Sequence, residues 1–366
     1  MFLTARLFGI FTYIFVMVIF LLLTKYTKRT QTKYVLFFYL VSLSTIAYFY
    51  VPFITADVYR HSINAKSLSL MPWYEFWDII KNLTSGISFL FYFRYFADYL
   101  STATCFIIYG IIFYMIYNFS NKQNASKSII TLVLFWIMTN DFYLVSISNI
   151  RSYISAILVV FCIYREMFHN KFGIVNIFLY LCAIEMHSMG IVFVVFRFGA
   201  YLFMKGQLTI FKIILFNVVI FIVVMGKSFY LPLLNFSIVK LEAYYSDIGY
   251  DYIWERVIFI IQTIVQIYVL LKAFKYQIFK DKIFAYYKSI IVMAVIILVL
   301  CHLRVPYVQR WIFFSAILEI PLLIELLRVE KELNRTNIKN FLITTSIITF
   351  IFVCSRGNLC GLKFWE

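Results

Sequence analysis

Two polar interruptions break an otherwise apolar middle stretch of this chain: Ser148-Asn149-Ile150-Arg151 and Glu185-Met186-His187-Ser188. Between them lie an apolar run (154–164), a basic patch (Arg165, His169, Lys171) and a second apolar run (172–184). If both runs cross a bilayer, the chain goes in and out again, and Arg151 and His187 meet at one membrane face. Positive charge normally collects at the cytoplasmic face, so arginine at the outer ends of apolar helices needs a reason. The candidates are Arg151, Arg304 and Arg310, with Arg94 and Arg60 behind them. The 304–310 stretch carries two arginines and no acid. Guanidinium forks grip phosphate oxygens at two points, worth about 1.5–3 kcal/mol per charged hydrogen bond.

A neutral imidazole at His187 has two uses: taking a proton from a hydroxyl, or hydrogen-bonding a phosphate. Asp57, close to His61 in the first outer segment, is a second candidate base. His302 approaches the same face beside Arg304. No two histidines have i, i+4 spacing, so a metal site has little support. Bland alternatives stand beside each residue. Arg151 can pair with Asp141 across a helix turn, Arg304 and Arg310 can reach lipid headgroups, and a lone histidine on an apolar face is more often structural than catalytic.

The elements that must position these groups are membrane helices. Mean hydropathy is +0.89. Hydrophobic residues make up 63% of the chain and charged ones only 14%, where a soluble domain carries roughly a quarter charged. Apolar runs of about 17–20 residues recur from end to end, the length a hydrocarbon core of about 30 Å demands. The formal charge of +16 falls in short clusters between those runs, which fits orientation in a bilayer and excludes a nucleic-acid surface. The first run, 7–24, is followed by Lys25, Lys28 and Arg29 and has no small-residue cleavage site, so it reads as a retained helix. The six cysteines are dispersed and read as free apolar groups; Cys354 and Cys360 can pair only in an external tail.

The expected fold is all-α, a single membrane domain over 1–366 with about twelve spans, external loops at 54–86 and 226–252, and short interfacial or re-entrant helices. The spans are placed at 7–24, 34–53, 102–119, 128–145, 154–164, 172–184, 189–204, 210–225, 253–271, 289–303, 311–327 and 341–354. Residues 87–99, interrupted by Arg94 and Asp98, read as a half-buried helix at the outer face. With the N-terminus outside, every loop placed inside is rich in Lys or Arg, most of all 272–288.

On these residues the chain resembles the EpsG family of Wzy-type polysaccharide polymerases. The resemblance rests on Asn149-Ile150-Arg151 opening a helix, Ile184-Glu185-Met186-His187-Ser188 closing another, Arg310 leading into an aromatic helix with Pro321, and Asp57 with Tyr59 after the second span. It implies a GT-C-like membrane fold in the bacterial inner membrane, with its site facing the periplasm or exterior. It implies glycan transfer from one undecaprenyl-pyrophosphate-linked glycan, the donor, to another, the acceptor, without a cofactor, and a chain-length regulator as a further partner. Arg151, Arg304, Arg310 and Arg94 would hold the pyrophosphate; His187 or Asp57 would take the acceptor proton. A flippase or transporter is the rival class, with charge buried at midplane helix breaks. A polyprenyl-phosphate-sugar glycosyltransferase would carry paired acids where Asp57 stands alone, and an O-acyltransferase would need a deep histidine.

Overall fold

The computed structural model describes residues 2–52, 57–75, 87–140, 142–169, 173–204, 251–301 and 305–355. The expected span 210–225 and the external loop 226–252 lie outside the described residues. Among the described residues the regular elements are all helical. In chain order they are α1 (Phe2–Tyr26), α2 (Thr32–Tyr48), α3 (Asp57–Leu68), α4 (Ile87–Tyr92) and α5 (Leu100–Lys122). Then follow α6 (Lys127–Thr139), α7 (Phe142–Ser148), α8 (Ile150–His169), α9 (Ile174–Met186) and α10 (Ser188–Met204). The C-terminal part holds α11 (Asp251–Lys275), α12 (Lys282–Cys301), α13 (Val305–Leu318), α14 (Ile320–Glu332) and α15 (Asn337–Ser355).

Four helices among the described residues are long and apolar enough to cross a membrane: Phe8–Tyr26, Ala97–Lys122, Arg256–Lys275 and Asn337–Cys354. A fifth arises if α6 and α7 form one span. This is a helical protein with the composition and helix lengths of a membrane protein.

Helix α8 is the axle. Its residues are buried on every side from Ser152 to Val160, and again at Cys162, Ile163 and Tyr164. A helix that is apolar all round must be surrounded, and α5, α7, α9, α10, α12 and α13 all pack on it. The close approach of the α9–α10 hairpin needs Gly190. A Cβ there would collide with Ala183 O and stand 2.6 Å from Ser155 Oγ. Ser155 Oγ also donates to Ala183 O at 2.8 Å, pinning the hairpin to α8. Deeper along α8, Glu166 accepts from Arg197 Nε at 2.6 Å, Tyr180 OH at 2.7 Å and Asn176 Nδ2 at 3.1 Å. This buried charge is paired and surrounded by donors, as burial requires.

Three expected boundaries shift, each for a local reason. The span expected over 128–145 breaks into α6 and α7, bent by 53°. Asn140 adopts an extended conformation there, its side-chain amide donates to Trp136 O, and Gln262 Nε2 donates to its Oδ1 at 3.1 Å. A side-chain amide that competes for backbone carbonyls ends a helix. The span expected over 311–327 starts earlier and is interrupted at Glu319, one residue before the Ile320-Pro321 start of α14. Residues 87–99 form the short helix α4, a turn and a 3-10 turn (Ala97–Tyr99) that feeds α5.

The end of the bundle where α5 and α8 finish is tied by basic side chains. Arg29 Nε donates to Asn121 Oδ1 at 3.2 Å and its Nη2 to Ser120 O at 3.0 Å; Lys122 Nζ donates to Phe168 O at 2.8 Å. The bonds to Ser120 O and Phe168 O fill helix-terminal carbonyls that have no partner within the helix. Asn124 (φ 51°) and Asn334 (φ 51°) close α5 and α14 in the left-handed region, with Ala125 N donating to Ser120 O and Arg335 N to Glu330 O, both at 2.9 Å. Asparagine takes the place glycine usually fills in this cap.

Candidate functional site

The opposite end, where α5 and α8 begin, gathers the charged groups of interest. Helix α3 presents Asp57, Arg60 and His61 on one face through their i, i+3 and i, i+4 spacing. Arg60 Nη2 donates to Asp57 Oδ1 at 2.8 Å. His61 Nε2 stands 3.1 Å from Asp57 Oδ2. At that distance the imidazole stabilises the carboxylate.

A small separate core places this face. Val58 and Ala65 of α3 pack with Leu90, Ala97, Leu100 and Ile150. Ile150 is the first residue of α8, so this cluster sets α3 near that helix end, and Asp57 falls within electrostatic reach of Arg151. Arg151 consequently lies in the field of Asp57, Arg310, Arg60 and Glu185. Four stretches of chain contribute: α3, α8, the last turn of α9 and the second turn of α13. Arg310 sits on α13 rather than in the expected external turn, because Pro306 opens that helix early; proline fits the first helical turn, where its missing N–H costs nothing.

Electrostatics at Asp57 follow from its neighbours. Burial alone would raise its carboxyl, but the His61 imidazole, then Arg151 and Arg60, outweigh that and hold it well below the usual carboxylate range. Asp57 is therefore ionised at any physiological pH. A carboxylate so stabilised makes a poor proton acceptor and a strong counter-ion.

His187 occupies the joint between α9 and α10 in extended conformation (φ −160°, ψ 145°). It caps α10: Gly190 N donates to His187 O at 2.7 Å, and Met189 N donates to His187 Nδ1 at 3.0 Å. The lone pair of Nδ1 is thereby occupied. In the neutral ring the proton sits on Nε2, which is a donor. With Nδ1 accepting this bond and Nε2 protonated, the neutral ring is arranged as a donor rather than as a base.

Arg94 is committed locally. It is 3% exposed, its guanidinium lies 3.9 Å from the Phe91 ring centre and 4.5 Å from that of Tyr95, and Nη1 donates to Phe91 O at 2.8 Å. Arg304, His302 and Asp141 lie outside the described residues. Among the described residues no three His, Cys, Asp or Glu side chains gather into a metal cage.

Arg60, His61 and Glu185 join the site although sequence reading gave them no principal role. The signal was available: Asp57-x-x-Arg60-His61 aligns all three side chains once 57–68 is recognised as a helix. The chain matches no protein-family model, no curated protein and no solved structure.

Proposed function

We propose that this chain is a Wzy-type polymerase. It joins undecaprenyl-pyrophosphate-linked repeat units at the outer face of a bacterial inner membrane, with about twelve spans in the complete fold. The observation that carries this is that Arg310, Arg60, Asp57 and Glu185, from elements far apart in sequence, all lie within electrostatic reach of Arg151. Fixed guanidinium groups supply what loss of a pyrophosphate leaving group needs: positive charge already in place where negative charge develops. In this scheme Arg151 and Arg310 hold the diphosphate. Asp57 orients Arg60 and Arg151 before the anion arrives, and His187 donates its Nε2–H to a phosphate oxygen. The acceptor proton then falls to a carboxylate at this end, of which Glu185 is the half-buried one closest to His187 in sequence. Replacing Arg151 or Arg310 by Ala should abolish polymer ladders at unchanged protein level; normal ladders from both variants would reject the proposal.

One observation favours a second reading, a flippase for lipid-linked sugars. Glu319 is buried (2% exposed) at the break between α13 and α14, and neither carboxyl oxygen has a hydrogen-bond partner among the described residues. A carboxyl at a mid-span helix break is typical of transporters. Deleting the protein separates the two. A missing polymerase leaves single repeat units on the outer surface, and a missing flippase does not.

A further inference from the structure

At the bundle end opposite Arg151, a cleft of about 740 Å³ opens between α1, α6, α14 and α15. Its floor is apolar, formed by Leu21, Leu132, Phe135 and Ile343. Its rim carries Lys25, Lys331, Arg335 and Lys339, with the hydroxyls of Ser126 and Thr336 between them. The rim cations are all exposed. Two of them lie beside aromatic rings: Lys25 Nζ is 5.2 Å from the Tyr26 ring centre and the Arg335 guanidinium 6.0 Å from that of Tyr276. No ion pair engages any of the four among the described residues.

One carboxylate, Glu330, lines the cleft, and its charge is directed elsewhere. It is 1% exposed and accepts from Ile338 N at 2.9 Å through both oxygens and from Lys339 N at 3.2 Å. The carboxylate thus caps α15. It ties the α14–α15 connection, and Lys331, Arg335 and Lys339 line the same cleft with Lys25, so four cations outnumber the one buried carboxylate.

An apolar floor under a rim with excess positive charge, at the end of a membrane bundle, matches one ligand chemistry: acyl chains joined to a phosphate headgroup. The volume lies within the range of built ligand sites, about 300–1,000 Å³. Basic pockets between membrane helices are where anionic headgroups settle. We propose that this cleft is a binding site for an anionic phospholipid, with the headgroup phosphate on Lys331, Arg335 and Lys339 and an acyl chain along Phe135 and Ile343. The lipid would bridge α15 to the α1–α6 pair. The proposal is independent of the polymerase assignment, since none of its residues belongs to the Arg151 site.

The test uses the full chain, purified in mild detergent. Thermal unfolding is followed with added cardiolipin, phosphatidylglycerol, phosphatidylcholine or inorganic phosphate. The two anionic lipids should raise the midpoint, while phosphatidylcholine and phosphate should not. A Lys331→Gln/Lys339→Gln variant should need about 30-fold more anionic lipid for the same rise, whereas Lys272→Gln/Lys280→Gln, outside the cleft, should respond as the parent does. Equal stabilisation by phosphatidylcholine, an equal effect of phosphate alone, or an unchanged response of the cleft variant overturns the proposal. If the cleft variant does not fold, native mass spectrometry of the parent decides: retained anionic lipid in preference to phosphatidylcholine supports the site, and no preference overturns it.

Discussion

Met189 donates its backbone N–H to His187 Nδ1 at 3.0 Å, and that bond leaves the proton of the neutral imidazole on Nε2. Glutamine can place an N–H near the position of Nε2, whereas asparagine can replace only the cap made by Nδ1. His187→Gln should therefore keep part of the polymer ladder. His187→Asn should lose about 10- to 100-fold of product, the cost of one hydrogen bond to a charged oxygen. Quantified surface glycan from both variants checks this. Equal, complete loss in both would return His187 to the role of base.

Gly190 should tolerate nothing larger. Its absent Cβ leaves room for Ala183 O and Ser155 Oγ, so Gly190→Ala must push the α9–α10 hairpin off α8 and carry His187 with it. Overpacking of this kind costs about 1–3 kcal/mol. Ser155→Ala removes only the bond to Ala183 O and should cost about 1 kcal/mol. Thermal unfolding of the two variants in detergent should rank them in that order; a Gly190→Ala protein as stable as the parent would contradict the close approach.

Asp57 gives a pH signature. Its carboxyl is held below the usual range in the folded protein, so folding favours the ionised form. The resulting stabilisation is fully present above the unfolded value, about 3.9, and disappears as pH falls toward the folded value. Asp57→Asn should be less stable than the parent at pH 7, with a gap that narrows as the medium is acidified below about pH 4. Unfolding midpoints across that range check the sign. A gap that stays constant with pH would show that the charge of Asp57 is not what matters.

What the chain reveals before folding depends on the scale of the signal. Mean hydropathy over a span reports helix and membrane, and it located α1, α5, α11 and α15. Reading the two apolar runs as successive crossings sets Arg151 at the start of α8 and His187 just past the end of α9, and these two helices pack on each other. Single side chains decide what averages cannot. Asn140 breaks a span whose mean hydropathy is unremarkable, because its amide competes for the Trp136 carbonyl. Arg310 reads as a loop residue until Pro306 is seen opening a helix. The contact of α3 with Ile150 is long-range and leaves no trace in local periodicity.

Glu319 separates the two functional classes by stability as well as activity. Its carboxyl oxygens are buried without hydrogen-bond partners among the described residues. An unsatisfied buried polar group costs about 1–3 kcal/mol. Glu319→Met, similar in volume and apolar, should raise stability by about that amount. If the chain is a polymerase, the variant should still make polymer. A stabilised variant that displays no repeat units at the surface would identify Glu319 as part of a translocation path.

The central claim is that Arg151 and Arg310 together hold a carrier diphosphate. Gel electrophoresis of surface glycan from a deletion strain, complemented with the parent gene, Arg151→Ala or Arg310→Ala, tests it most directly. The account predicts single repeat units without a ladder from each variant at normal protein level, and a full ladder from the parent. A full ladder from both variants, or a deletion strain with no repeat units at its surface, would contradict it.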